Sequence, residues 1–270
     1  MSGFPINPPR RNKIESIIKN HTVHQPDALA VQKMPIFSTL KLKKEYTKEE
    51  KKLHNAINAI KYIMNNDKDC KGINKQALAE KIAAIAIDVG VHPEVAGAII
   101  KQETHFSTDS AEMNKGTGIG PMQIVPIVIH DMFVRPEFYD PELKSIIGAK
   151  KEYKTFENAL NAKLNNPKID LGKFGNKFFE FYKQNKTYFD KECYKKRLND
   201  LPEKIRNDYN RTLSNYDMNV YLGCFLYKAH RRTNSEKQAI INYNNSSIKY
   251  SYEAEVSRTI KQARKNAPEI

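Results

Sequence analysis

Tryptophan is absent from this sequence, and cysteine occurs only as Cys70, Cys193 and Cys224. An odd count without C-x-x-C spacing points to neither a disulfide framework nor a cysteine-built zinc site, so the three read as ordinary thiols. No stretch approaches the roughly 18 consecutive apolar residues of a membrane-spanning helix. The opening residues, MSGFPINPPRRNKIESIIKN, lack the continuous apolar segment of a secretory signal. Period-two alternation is missing throughout and no internal repeat is present, which argues against sheet-built and solenoid classes. What remains is a mainly α protein.

Positive charge is present in excess. The 45 Lys and Arg residues outweigh 31 Asp and Glu, for a net charge of +14. Such a balance favours an anionic partner: nucleic acid, anionic lipid or an acidic wall polymer. A genome-wide bias toward Lys and Asn would produce the same charge. About 40% of residues are apolar, enough for a substantial core in a chain of this length.

Residues 1–47 read as an extended or disordered arm, interrupted by Pro5, Pro8, Pro9, Pro26 and Pro35. Thr47 and Glu50 then form a capping-box pattern ahead of a stripe of Leu53, Ile57, Ile60 and Met64. Asn74 opens a second helix, with Leu78, Ile82, Ile85 and Val89 on one face and Gly90 as its stop. Later helical patterns cover Asn219–His230, Gln238–Tyr243 and Tyr252–Ala263. Phe174, Phe178, Phe181 and Tyr188 hint at an aromatic stripe, read as core packing.

The most informative stretch is His92–Gln123. Pro93 suits the first turn of a helix. Val95, Ile99, Gln102/Glu103 and Phe106 recur at helical spacing. The small Ala96, Gly97 and Ala98 admit a neighbouring helix closely. Glu103 therefore falls on the apolar face near the helix end, where desolvation raises a carboxyl pKa and suits it to general acid work. A loop with Gly116, Gly118 and Gly120 follows, then Pro121-Met122-Gln123. Its glycines can bring backbone N–H groups close to a ligand. Alone, a Glu at a helix end is more often simply solvated.

Four segments together resemble the goose-type lysozyme and SLT-type lytic transglycosylase family. They are Glu103-Thr104-His105-Phe106 with Gly118-Ile119-Gly120-Pro121-Met122-Gln123; Asn219-Val220-Tyr221-Leu222-Gly223; Ala239 through Asn244; and Tyr252 with Val256. The resemblance covers about residues 75–126 and 213–262. Thr104 stands for the family's Ser and Pro121 for its Leu. The connection from Glu103 to Gln123 is slightly longer than usual, and Asn244-Asn245-Ser246 replaces a common Asn-Ala-Gly. Residues 135–210 exceed what the family core needs and read as a helical insertion.

The resemblance implies a lysozyme-like catalytic domain over 48–265, with a small glycine-rich loop or hairpin at its cleft. The implied reaction is cleavage of the MurNAc–GlcNAc β-1,4 bond of peptidoglycan. Glu103 acts as acid and then as base on the C6 hydroxyl, giving 1,6-anhydroMurNAc ends. Thr104, Gly120, Met122, Gln123, Tyr243 and Asn244 are the implied substrate-binding residues, Tyr243 also orienting Glu103. Neither a metal nor another cofactor is implied. Asp109 and Glu112 are the nearest downstream acids; a cleft-facing one would make the enzyme a hydrolytic, goose-type lysozyme. The rivals are a non-catalytic glycan-binding module and a nucleic-acid-binding helical protein, the latter without a recognition motif. Expected partners are the peptidoglycan glycan strand and anionic wall polymers, with no specific nucleic acid and no membrane span. Action on a wall outside the cytoplasm, without a visible signal, points to phage or specialised secretion machinery, or to a truncated start.

Overall fold

The first helix, α1 (Lys48–Asn65), starts as its sequence dictates. The Glu50 N–H donates to Thr47 Oγ1, and the Thr47 N–H donates to Glu50 Oε2 at 2.8 Å. This reciprocal box satisfies two helix-end donors, worth about 1 kcal/mol. Ile57, Ile60 and Met64 of the expected stripe are buried, and Leu53 packs against the core edge. Helix α2 (Lys75–Val89) is capped by Asn74, whose side chain accepts from the Ala77 N–H; it stops at Gly90 in the left-handed region, φ +82°. Helix α3 (Pro93–Thr104) begins on Pro93. The computed structural model describes residues 46–109, 118–125, 202–244 and 246–270, with single positions 113, 127, 128, 131, 132 and 184. Almost all of the expected 1–47 arm and 135–210 insertion lies outside these residues.

Helices α4 (Glu203–Leu213), α5 (Tyr216–Thr233), α6 (Glu236–Tyr243) and α7 (Lys249–Asn266) complete the described part. Within it the protein is mainly α, and the one β feature is an isolated antiparallel bridge between Ile119 and Ile124. Helix α5 starts at Tyr216 rather than Asn219 because Asn215 caps it, accepting from the Met218 N–H. Ser235 does the same for α6, two residues ahead of the expected start. Helix α7 begins at Lys249 with no side-chain cap, a start that no composition cue marks.

The packing is built on two central helices. Every residue of α5 from Asp217 to Tyr227 is buried. The sequence shows only a one-sided stripe there; a helix closed in all round needs neighbours on several sides, and α2, α4 and α6 supply them. Helix α3 packs on α1, α2 and α7. Gly97 faces α1, where an added Cβ would stand 3.2 Å from the Ile63 Cδ1 methyl, so the small residue sets the helix spacing. Two buried polar side chains on α5, Asp217 and Asn219, have hydrogen-bond partners. Asp217 accepts from Lys81 Nζ on α2 at 3.2 Å. On the surface, Arg264 of α7 holds Glu94 of α3 and Glu236 of α6 at 2.7 and 2.8 Å.

Among the described residues no helix is long and apolar enough to cross a membrane.

Candidate active site

Helix α3 ends abruptly behind Glu103. His105 and Phe106 both take left-handed backbone, φ +51° and +61°. Each costs roughly 1–2 kcal/mol for a residue with a side chain. Phe106 is fully buried, and burying a phenyl ring stabilises by about 1.5–3 kcal/mol, which offsets its own strain. The turn drives Phe106 into the core although the helix has already stopped. Its place in the helical stripe is thus filled from outside the helix. Gln102 is exposed while Glu103 is half-buried, so of the two it is Glu103 that faces inward.

The glycine segment folds into a tight loop against this end. Ile119 and Ile124 exchange both backbone hydrogen bonds at 3.0 Å, and the Gln123 N–H closes a turn onto the Gly120 carbonyl at 3.0 Å. Gly120 and Gln123 both have positive φ, +74° and +50°. Thr104 Oγ1 lies 3.1 Å from the Pro121 carbonyl and 3.3 Å from that of Ile100, able to donate to either. The Gln123 amide nitrogen donates to the Met113 and Gly120 carbonyls at 2.6 and 2.9 Å.

Asn219 of α5 clamps the loop from beneath. Its Oδ1 accepts from the Met122 N–H at 2.8 Å, while Nδ2 donates to the carbonyls of Ile119 at 2.6 Å and Leu213 at 3.1 Å. The Met122 side chain lies over Gly223, one helical turn further along. A Cβ at Gly223 would come within 2.7 Å of the Met122 Cβ, too near the backbone for a rotamer change to relieve. Gly223→Ala is therefore expected to lower unfolding free energy by about 1–3 kcal/mol, measured as a reduced urea midpoint at unchanged m-value. An unshifted midpoint would show that the loop lifts away without cost.

Burial dominates the electrostatics at Glu103. It pushes the carboxyl up to about 7, and the Tyr252 hydroxyl partly counteracts it. That hydroxyl is nonetheless buried with no partner in hydrogen-bonding geometry. The two observations fit a close but misaligned contact, an influence short of a formed bond. Atoms crowd the carboxyl on most sides, yet the residue retains some solvent access. Tyr243 donates to the Met122 carbonyl at 2.8 Å, so its hydroxyl end is enclosed although the residue is half-buried. Burial, and next the Glu103 charge, hold both phenols well above their usual pKa. The carboxyl and the two hydroxyls therefore share one neighbourhood.

The structure brings Glu103, Thr104, Gly120, Met122, Gln123 and Tyr243 together around one turn. Their polar groups mostly serve the turn itself: Thr104, Gln123 and Tyr243 all hydrogen-bond to its backbone or to Met113. Met122 is 1% exposed and packs inward. Asn244 stands apart as the cap of α6, accepting from the Ser246 N–H and hydroxyl. Asp109 is exposed, and Gly116 and Glu112 lie outside the described residues. Asn219 and Tyr252 carry more of the arrangement than their sequence positions announce. Asp67 and Asp69, unremarked in the sequence, meet His105 behind the α3 end, with ligand atoms within 4.8 Å of one another. A groove of about 440 Å³ lined by Asn55, His92, Glu94 and Arg264 lies at the opposite end of α3 and is not part of this site.

Fold and site thus define a mainly α protein with a half-buried, proton-holding carboxyl beside a clamped glycine turn. No protein-family model, curated protein or solved structure matches the chain.

Proposed function

We propose that the chain is a peptidoglycan lytic transglycosylase of lysozyme-like architecture, with Glu103 as its acid and base. One observation carries the reading: a carboxyl pushed up to about 7 by burial, at a helix end against a glycine turn. Near neutral pH such a group is protonated in a large fraction of molecules and accepts a proton back readily. Glu103 donates its proton to the glycosidic oxygen as the C1–O4 bond of MurNAc breaks. The substrate's acetamido group stabilises the cation at C1. The resulting Glu103 carboxylate removes the proton from the C6 hydroxyl, whose oxygen closes on C1 as the 1,6-anhydro ring. No water enters, and the enzyme ends in its starting protonation state.

This route needs no second carboxylate. Burial raises the Glu103 carboxyl and the Tyr252 hydroxyl partly offsets it; among the described residues, Asp109 included, no acid is among the causes of the shift. Net charge +14 favours accumulation on anionic wall polymer, and the site of action is the wall outside the cytoplasm. Mass spectrometry of digested peptidoglycan tests the proposal. Anhydro-muropeptides are expected; reducing MurNAc ends would replace the lyase reading by the lysozyme one, and intact sacculi would remove both.

Tyr252→Phe probes the proton-holding group. The hydroxyl lowers the Glu103 pKa, so its loss should raise that pKa and move the alkaline limb of the rate profile to higher pH. Below the Glu103 pKa, loss of a buried hydroxyl without an aligned partner leaves stability unchanged or slightly improved; above it the higher carboxyl pKa lowers stability. A limb that stays in place would reduce Tyr252 to a packing residue.

A further inference from the structure

Three side chains able to hold a cation converge on the far side of the α3 end. The chain leaves α1 at Asn65 and passes through Asp67 and Asp69 before α2, while His105 follows the last residue of α3. His105 Nδ1 lies 3.1 Å from Asp67 Oδ1, 3.2 Å from Asp67 Oδ2 and 3.9 Å from Asp69 Oδ2. Two ligands on a tetrahedral zinc-type ion, each at about 2.0–2.2 Å from the metal, stand roughly 3.3–3.6 Å apart. The two imidazole–carboxylate separations fall on either side of that edge, the shorter also being a hydrogen-bonding distance, and the three ligand atoms all lie within 4.8 Å of one another.

Charge points the same way. The Asp67 side chain is only 3% exposed, and a buried carboxylate is costly unless a positive charge accompanies it. Among the described residues, His105 is the one basic group within ion-pair distance of Asp67, and the Asp69 N–H also donates to Asp67 Oδ1 at 3.2 Å. Lys75 directs its ammonium elsewhere, to Met64 O and Asn65 Oδ1 at 3.2 Å. Two carboxylates thus gather at one imidazole, on a chain that carries +14 overall. Asp69 and His105 are 67% and 49% exposed at their side chains, so an ion can enter from solvent.

We propose that Asp67, Asp69 and His105 bind one divalent transition cation of the zinc class. An imidazole nitrogen with carboxylate oxygens suits zinc, cobalt or nickel; magnesium and calcium prefer all-oxygen sites. Three protein ligands leave the remaining coordination to water. The ion ties the α1–α2 connection to the strained turn behind Glu103. This inference is independent of the peptidoglycan reading, because binding rather than activity reports it.

The test uses the full, untagged chain stripped with chelator and titrated with Zn²⁺ by calorimetry and with Co²⁺ by visible absorption. One equivalent of each metal is expected, with cobalt ligand-field bands. Asp69→Asn, at an exposed position, should weaken binding at least about 10-fold. His105→Asn should abolish it, since Asn tolerates the left-handed backbone but replaces the imidazole ligand with a poor one. If His105→Asn fails to fold, Asp69→Asn decides alone. Absence of stoichiometric uptake by the wild type overturns the proposal. So does equal uptake by folded variants, which would place the metal on another of the seven histidines.

Discussion

Glu103→Gln should lose wall-lytic activity by on the order of 10²–10⁴-fold while becoming more stable than the wild type at alkaline pH. The two effects share one cause. Burial raises the native carboxyl pKa from 4.5 to about 7. Between those values the native state keeps a proton that the unfolded chain has released, so stability falls as pH rises through this window. Above it the whole penalty is present; a shift of that size corresponds to roughly 2–3 kcal/mol once partial solvent access is allowed for. Glutamine has the same shape and no charge to desolvate. The difference in unfolding free energy between Glu103→Gln and wild type should therefore be near zero at about pH 4 and reach roughly 2–3 kcal/mol in favour of the variant at about pH 8. Paired urea melts at the two pH values measure it. A difference that does not grow with pH would mean the carboxyl is solvated, and the acid assignment would go with it. Retained lysis would remove the catalytic role directly. Binding to isolated wall sacs should survive the substitution, which separates loss of chemistry from loss of the cleft.

The helices were legible where local chemistry decides them. Thr47 with Glu50, Asn74, Pro93 and Gly90 are start and stop signals whose hydrogen bonds involve only their neighbours, and the structure uses each of them as the sequence predicts. Helix α7 has no side-chain cap, so nothing in the local sequence marks its first turn. The burial of α5 on all sides was also hidden: Asp217, Asn219 and Lys228 break its apolar pattern, and only tertiary partners such as Lys81 make Asp217 tolerable there. At the site, the inward direction of Glu103 followed from helical spacing. The left-handed turn at His105 and Phe106 did not, since a bulky Phe rarely takes that backbone and a His alone does not announce it. The meeting of Asp67 with His105 spans 38 positions, and no periodicity reports a contact at that range. The resemblance supplied Asn219 and Tyr252 as motif letters. Their work, clamping a loop and touching a carboxyl, is visible only once the helices are packed.

Asn219→Ala should be among the most destabilising single changes in the described core and should disable the site without touching Glu103. Asn219 is fully buried and uses both ends of its amide, accepting from Met122 and donating to Ile119 and Leu213. Those three partners belong to residues that are themselves at most 1% exposed. Removing the amide strands the Met122 N–H and the Leu213 carbonyl, each worth about 1–3 kcal/mol when left unsatisfied, while the Ile119 carbonyl keeps the Ile124 N–H. Water entering the vacated space recovers part of this, so a net loss of about 2–4 kcal/mol is expected. The choice of residue is constrained from the other side as well. Gly120 is packed so closely on the Asn219 amide that a Cβ there would collide with it and come within 2.7 Å of the Leu213 carbonyl. A longer glutamine at position 219 would meet the same wall. The clamp therefore fixes the register of the turn that Thr104 and Tyr243 also hold. Asn242→Ala is the control: its amide accepts from Gln238 on the surface of the same helix, and its loss should change stability by under about 0.5 kcal/mol. If the two alanine variants unfold at similar urea concentrations, water substitutes fully for the Asn219 amide, and the turn is held by its own backbone bridge instead. If only Asn219→Ala collapses, the geometry that holds Glu103 against the glycine turn is set from α5, a helix whose part in the site is to fix that turn rather than to line it.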